Sequence, residues 1–107
     1  MTDQDKKIQE MQFLEQNLQN LLIQKQAFQM ELSESQSALK EIEKSGEEVF
    51  KIVGQLMIKA DKSKIKDELS TKEKMLGLRM KTIEKQESSL TEQLDKLREE
   101  VMKLMKK

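Results

Sequence analysis

The sequence predicts a mainly α fold: a long antiparallel two-helix coiled coil joined by one β-hairpin. Three observations predict it. Two stretches carry apolar residues at alternating spacings of three and four, the seam of a coiled coil. Neither stretch contains proline, and the whole chain has none. Between them, residues 47–60 gather β-branched and aromatic side chains around Gly54, which is the signature of strand and turn.

The ascending helix is expected over about 5–44. Met11, Leu18, Lys25, Leu32 and Leu39 fall at one core position, and Leu14, Leu21, Phe28, Ser35 and Ile42 at the other. Eight of these ten are apolar; Lys25 and Ser35 interrupt the seam. A helix of roughly 40 residues is about 60 Å long at about 1.5 Å per residue. A small globular domain has no use for such a rod.

The descending helix is expected over about 63–107. Leu69, Leu76, Ile83, Leu90, Leu97 and Leu104 recur every seven residues, with Glu73, Met80, Glu87, Leu94 and Val101 as companions. Its second seam is therefore better toward the C-terminus. Glu68 with Lys72, Glu92 with Lys96 and Glu99 with Lys103 set an acid four residues before a base, worth about 0.2–0.5 kcal/mol each on an exposed helix. Gly77 lies beside the seam and costs about 1 kcal/mol relative to alanine.

The middle segment breaks the helical pattern. Ser45-Gly46 predicts a stop, with Gly46 taking the left-handed conformation past the helix end. A hairpin follows over about 47–60, with Gly54 at its turn, and Asp61 or Ser63 caps the next helix. Two registers are open. A two-residue loop sets Val53 opposite Leu56 and leaves both faces largely apolar. A three-residue loop sets Ile52 opposite Leu56, gathers Phe50, Ile52, Leu56 and Ile58 on one face and turns Lys51 and Lys59 to the other. Either way, a lone two-stranded hairpin is marginal in water and its edges need cover. Hairpins of several subunits are therefore expected to join. So short a middle sends the second helix back along the first, with both chain ends at the far end of the rod.

Composition bounds the function. At 107 residues the chain suits one domain, 1–107, but with 37% charged residues and only three aromatic ones it buries little by itself. It completes its core in an oligomer. Twenty basic residues balance twenty acidic ones, which argues against a binder of nucleic acid and against an anionic membrane surface. No apolar run approaches the roughly 18–20 residues that span a bilayer. The start, Met1-Thr2-Asp3-Gln4-Asp5, lacks a basic and apolar signal region. No cysteine is present to form disulfides, and these features together make the expected location cytoplasmic.

Val49-Phe50-Lys51-Ile52-Val53-Gly54 resembles the first strand and turn of the prefoldin family, where the pattern usually reads valine, tyrosine, lysine, a hydrophobic residue, valine and glycine. Leu56-Met57-Ile58-Lys59 resembles its second strand. The stretch Leu78-Arg79-Met80-Lys81-Thr82-Ile83-Glu84-Lys85-Gln86-Glu87 resembles a motif of its descending helix, while Gln24-Lys25-Gln26 and Glu31-Leu32 fit the ascending one. The order of these motifs around one hairpin is more specific than any of them alone. A single hairpin fits the β class, in its archaeal form, because the α class has two. Phe50 in place of tyrosine and Gly77 within a helix depart from the family pattern.

The resemblance implies a chaperone subunit that holds non-native proteins without ATP. It implies a hexamer of two α-class and four β-class subunits, whose hairpins build an oligomeric β-barrel platform. Coiled-coil tips would grip unfolded polypeptide clients and pass them to a group II chaperonin, with no cofactor.

No catalytic constellation is expected, because histidine and cysteine are both missing. Adjacent acids such as Glu47-Glu48 and Glu99-Glu100 read as solvated surface, since neighbours on a helix do not face each other. Three scattered glycines make no phosphate loop, and no metal ligand set stands out. Lys103, Lys106 and Lys107 suit the C-terminal end of a helix dipole, with a chaperonin or client contact as the other reading. Client binding at the tips is assigned to Ile8, Met11, Phe13, Leu14, Leu97, Val101, Met102, Leu104 and Met105. For Leu14, Leu97 and Leu104, continuation of the coiled coil is the plainer reading. Phe13 and Met102 lie outside the seam, and methionine adapts to many partners. Oligomerisation is assigned to Val49, Phe50, Ile52, Val53, Leu56, Met57 and Ile58. The alternative is a structural or scaffolding coiled coil without chaperone activity, against which the hairpin speaks. A helical RNA-binding module is disfavoured by neutral charge and few aromatics.

Overall fold

The computed structural model describes residues 2–106. In order they form helix α1 (Asp3–Lys44), strands β1 (Glu48–Val53) and β2 (Leu56–Asp61), and helix α2 (Lys62–Met105). Met1, and Lys107 of the expected basic end, lie outside the described residues.

Both helices begin before the expected positions, and capping explains why. Asp5 donates its backbone N–H to Thr2 Oγ1 at 3.1 Å, while Thr2 N–H reaches Asp5 Oδ2 at 3.4 Å. This reciprocal cap satisfies donors that the first helical turn otherwise leaves open. Asp3 and Asp5 also place negative charge at the positive end of the helix dipole. At α2, Ser63 N–H donates to Asp61 Oδ1 at 3.0 Å, so Asp61 is the cap and Ser63 is inside the helix. Strand β2 therefore runs into α2 without a linker.

Helix α1 stops at Lys44, but not by the device expected of Gly46. Gly54 is the one described glycine with positive φ, so Gly46 does not adopt the left-handed conformation. Ser45 ends the helix instead. Its N–H donates to the carbonyls of Glu41 and Ile42 at 3.0 and 3.2 Å, and its hydroxyl donates to the Ile42 carbonyl at 2.7 Å. Lys62 then donates to the Ser45 carbonyl at 2.9 Å, supplying a partner to a group beyond the helix end.

The hairpin takes the two-residue loop, with Val53 paired to Leu56, Ile52 to Met57, Lys51 to Ile58 and Phe50 to Lys59. Gly54 has φ 63°, and Gln55 has no positive φ. Glycine first and an ordinary residue second is the pattern of a type II′ turn, whose twist matches that of the flanking strands. The price of this register is that each face keeps apolar residues: Val49, Val53, Leu56 and Ile58 alternate with Phe50, Ile52 and Met57.

Two compact units are distinguished. One joins the chain up to Gln26 with the chain from Met80; the other is Ala27–Arg79. In the first, Lys7 lies 2.7 Å from Glu100, Glu15 is 3.5 Å from Arg98, and Lys25 is 3.6 Å from Glu87, so the helical segments run antiparallel. Leu14, Ile83, Leu94 and Val101 are its buried apolar core. In the second, Gln36 donates to Glu73 at 3.4 Å, Arg79 lies 5.7 Å from the Phe28 ring centroid, and Leu76, Ser35 and Val49 are buried. Every seam position named from the sequence is buried or half-buried. Lys25 and Glu87, which look like separate defects in two heptad patterns, face one another.

The three expected acid–base pairs along α2 do not close to ion-pair distance among the described residues. Glu68 turns instead to Lys51 of β1 at 3.3 Å. An exposed pair four apart gains too little to hold two long side chains against such an alternative. Helix α2 runs unbroken through Gly77, where an added Cβ would meet nothing within 4 Å.

Candidate interaction surfaces

The hairpin is built from residues that favour an extended backbone, yet its own unit leaves most of them uncovered. Of the seven named from the sequence, Val49 alone is buried. Phe50, Ile52, Val53, Leu56, Met57 and Ile58 are exposed, Ile52 at 71% and Met57 at 69%. Phe50 and Ile52 border an open groove of about 360 Å³ completed by Ala38 and Ile42 of α1 and Ile65 and Leu69 of α2. Open strand edges with exposed apolar side chains are the kind of surface on which a further chain can pair.

Residues named from near the two chain ends fall into two groups. Leu14 and Val101 are buried and Met11, Leu97 and Leu104 half-buried at seam positions, while Ile8 is half-buried beside the seam. Phe13, Met102 and Met105 point outward, at 64%, 57% and 67% exposure. The ion pairs Lys7–Glu100 and Glu15–Arg98 hold these helical segments side by side. The Lys7 ammonium, by hydrogen bond and charge, keeps the Glu100 carboxyl below the usual carboxylate range.

Sequence reasoning passed over other exposed apolar residues: Leu22, Ile23 and Met30 on α1, and Met75 and Leu78 on α2. The signal was present, because none of them occupies a seam position. Ile23 and Met30 even share one heptad position, seven residues apart.

Little else offers chemistry. Among the described residues there is no group of three or more potential ligands that could hold a metal ion. No described helix is long and apolar enough to cross a membrane. A groove of about 400 Å³ is lined by Asn17, Asn20, Leu21, Gln86, Ser89 and Leu90, none of them ionisable.

Comparison with known proteins agrees with the hairpin-centred layout. The family model described as "Prefoldin subunit" matches residues 5–107. Prefoldin subunit beta of Pyrobaculum aerophilum is 41% identical over 92 residues, covering 84% of this chain and 73% of the relative. Prefoldin subunit beta of Thermococcus onnurineus is 42% identical over 89 residues, covering 81% and 77%. The crystal structure of the prefoldin beta subunit from Thermococcus strain KS-1 superposes with a TM-score of 0.89 at 33% identity, covering 97% of this chain and 93% of that one.

Proposed function

This chain belongs to the prefoldin family, a family of chaperone subunits rather than enzymes, and on that footing we propose that it is an ATP-independent holdase subunit. Its hairpin joins those of α-class subunits and further β copies, as an α2β4 hexamer on a shared β-barrel platform. Val49, Phe50, Ile52, Val53, Leu56, Met57 and Ile58 make that contact. Ile8, Met11, Phe13, Leu14, Leu97, Val101, Met102, Leu104 and Met105 at the helix ends take apolar segments of unfolded clients, which pass to a group II chaperonin in the cytoplasm. Each contact is weak, and tethering several on one platform gives avidity without preventing release.

The exposed apolar hairpin carries this reading. Six large apolar side chains on two short strands stay in water unless another chain covers them. At about 25 cal/mol per Å² of apolar surface, covering them is a substantial driving force for association.

One experiment tests both halves. The purified chain is mixed with an α-class prefoldin subunit, sized by light scattering, and added to a heat-unfolded client whose aggregation is followed by turbidity. Wild type should form a hexamer-sized species and suppress aggregation. Ile52→Lys should abolish the large species. The triple variant Phe13→Ser, Met102→Ser, Met105→Ser should assemble normally but protect several-fold less well. A wild-type chain that stays alone, or a triple variant that protects fully, defeats the corresponding half.

A further inference from the structure

We propose that Met57 is an oxidation site that gates assembly: peroxide converts its thioether to the sulfoxide in the free subunit, and the modified hairpin no longer joins its partners. The inference rests on the assembly reading above.

The chain contains no cysteine, histidine, tryptophan or tyrosine, so methionine is the one residue type that a mild peroxide readily oxidises. The described methionines divide sharply. Met11 and Met80 are half-buried in the seams, whereas Met30, Met57, Met75, Met102 and Met105 are exposed. Four of the exposed five lie on helices. Met57 alone lies on a strand, directly opposite Ile52, and these two are the most exposed large apolar side chains described.

The chemistry needs only hydrogen peroxide. A sulfur lone pair attacks one peroxide oxygen, the S–O bond forms as the O–O bond breaks, and the second oxygen takes the proton of the first and leaves as water. Sulfur loses two electrons and the peroxide gains them. The product carries a strong hydrogen-bond acceptor and no donor. Set against Ile52 in a dry interface, that oxygen is buried without a partner, which disfavours the assembled state. On a solvated helix, as at Met102 or Met105, the same oxygen stays hydrated and assembly is unaffected. An assembled interface in turn shields the sulfur, so the free subunit is the form that responds.

The chain is treated with hydrogen peroxide and quenched, and sulfoxides are mapped by peptide mass spectrometry. It is then mixed with an untreated α-class prefoldin subunit and sized by chromatography with light scattering. Treated wild type should assemble at least tenfold less readily, and methionine sulfoxide reductases of both stereospecificities should restore it. Met57→Leu, a substitution close in volume, should assemble within twofold of its untreated form after the same exposure. Treatment after assembly should leave Met57 unmodified. Full sulfoxide at Met57 with undiminished assembly overturns the gate, as does equal loss in Met57→Leu. An untreated wild-type chain that never assembles overturns the assembly reading itself, and the two failures are thereby told apart. Reductase rescue is read on wild-type protein and does not depend on how the variant folds.

Discussion

Gly77 shows what a single residue costs here. It is half-buried in an unbroken helix, has no positive φ, and offers open space where a Cβ would stand. Neither packing nor backbone geometry asks for glycine. Gly77→Ala should therefore stabilise the protein by about 0.8–1 kcal/mol through helix propensity, raising the thermal midpoint by several degrees. Circular dichroism at 222 nm measures it, and a lowered midpoint would show that the glycine serves an interface after all. Lys25 and Glu87 show the limit of reading residues singly. Each is legible as a defect in its own heptads, but heptad patterns do not fix how two antiparallel helices align. Only the fold sets Lys25 Nζ 3.6 Å from a carboxylate whose Oε2 is buried without a hydrogen bond. A half-buried ion pair of this kind adds little to stability, yet loss of either partner strands the other's charge, so it opposes sliding of one helix along the other.

Among the elements, the helices were the most legible and the hairpin's register the least. Sixfold leucine or isoleucine recurrence at seven-residue spacing leaves little choice for α2. The cap at α1 is not legible from periodicity, because Thr2 and Asp5 precede the first apolar seam residue. For the hairpin, side-chain patterning favoured neither register: one segregates the lysines, the other gives the tighter turn. Backbone geometry decides, through Gly54 at φ 63°. This makes the two loop glycines unequal. Gly54→Ala must hold alanine in a left-handed conformation and should cost about 1 kcal/mol, with faster hydrogen exchange at the β1 and β2 amides. Gly46→Ala, at a position without positive φ and with nothing within 4 Å, should leave hairpin exchange unchanged. Equal effects of the two substitutions would contradict the type II′ turn.

For the whole molecule, what a sequence can show is surplus. Among the apolar residues that seams do not consume, one group lies in the hairpin, with Phe50, Ile52, Leu56 and Met57, and another near the chain ends, with Phe13, Met102 and Met105. What covers them lies outside one chain, so the partners became readable only through the resemblance and the family match. The two surplus groups fall in different compact units, the hairpin in residues 27–79 and the end residues in the other. Assembly and client capture should accordingly be separable. Deleting residues 1–10 and 98–107 removes Ile8, Val101, Met102, Leu104 and Met105 and breaks two of the cross-helix pairs, Lys7–Glu100 and Glu15–Arg98, while Lys25–Glu87 stays. It touches no residue of the hairpin's unit. The trimmed chain should still reach the size of the full assembly with an α-class subunit, while losing most of its suppression of client aggregation. Its thermal midpoint should fall, because two stretches of seam are gone, so both assays belong at a temperature where light scattering shows the oligomer intact. Under that condition, trimmed assemblies that protect a client as well as full-length ones would move the capture surface away from the helix ends, toward the exposed Leu22, Ile23 and Met30 of α1.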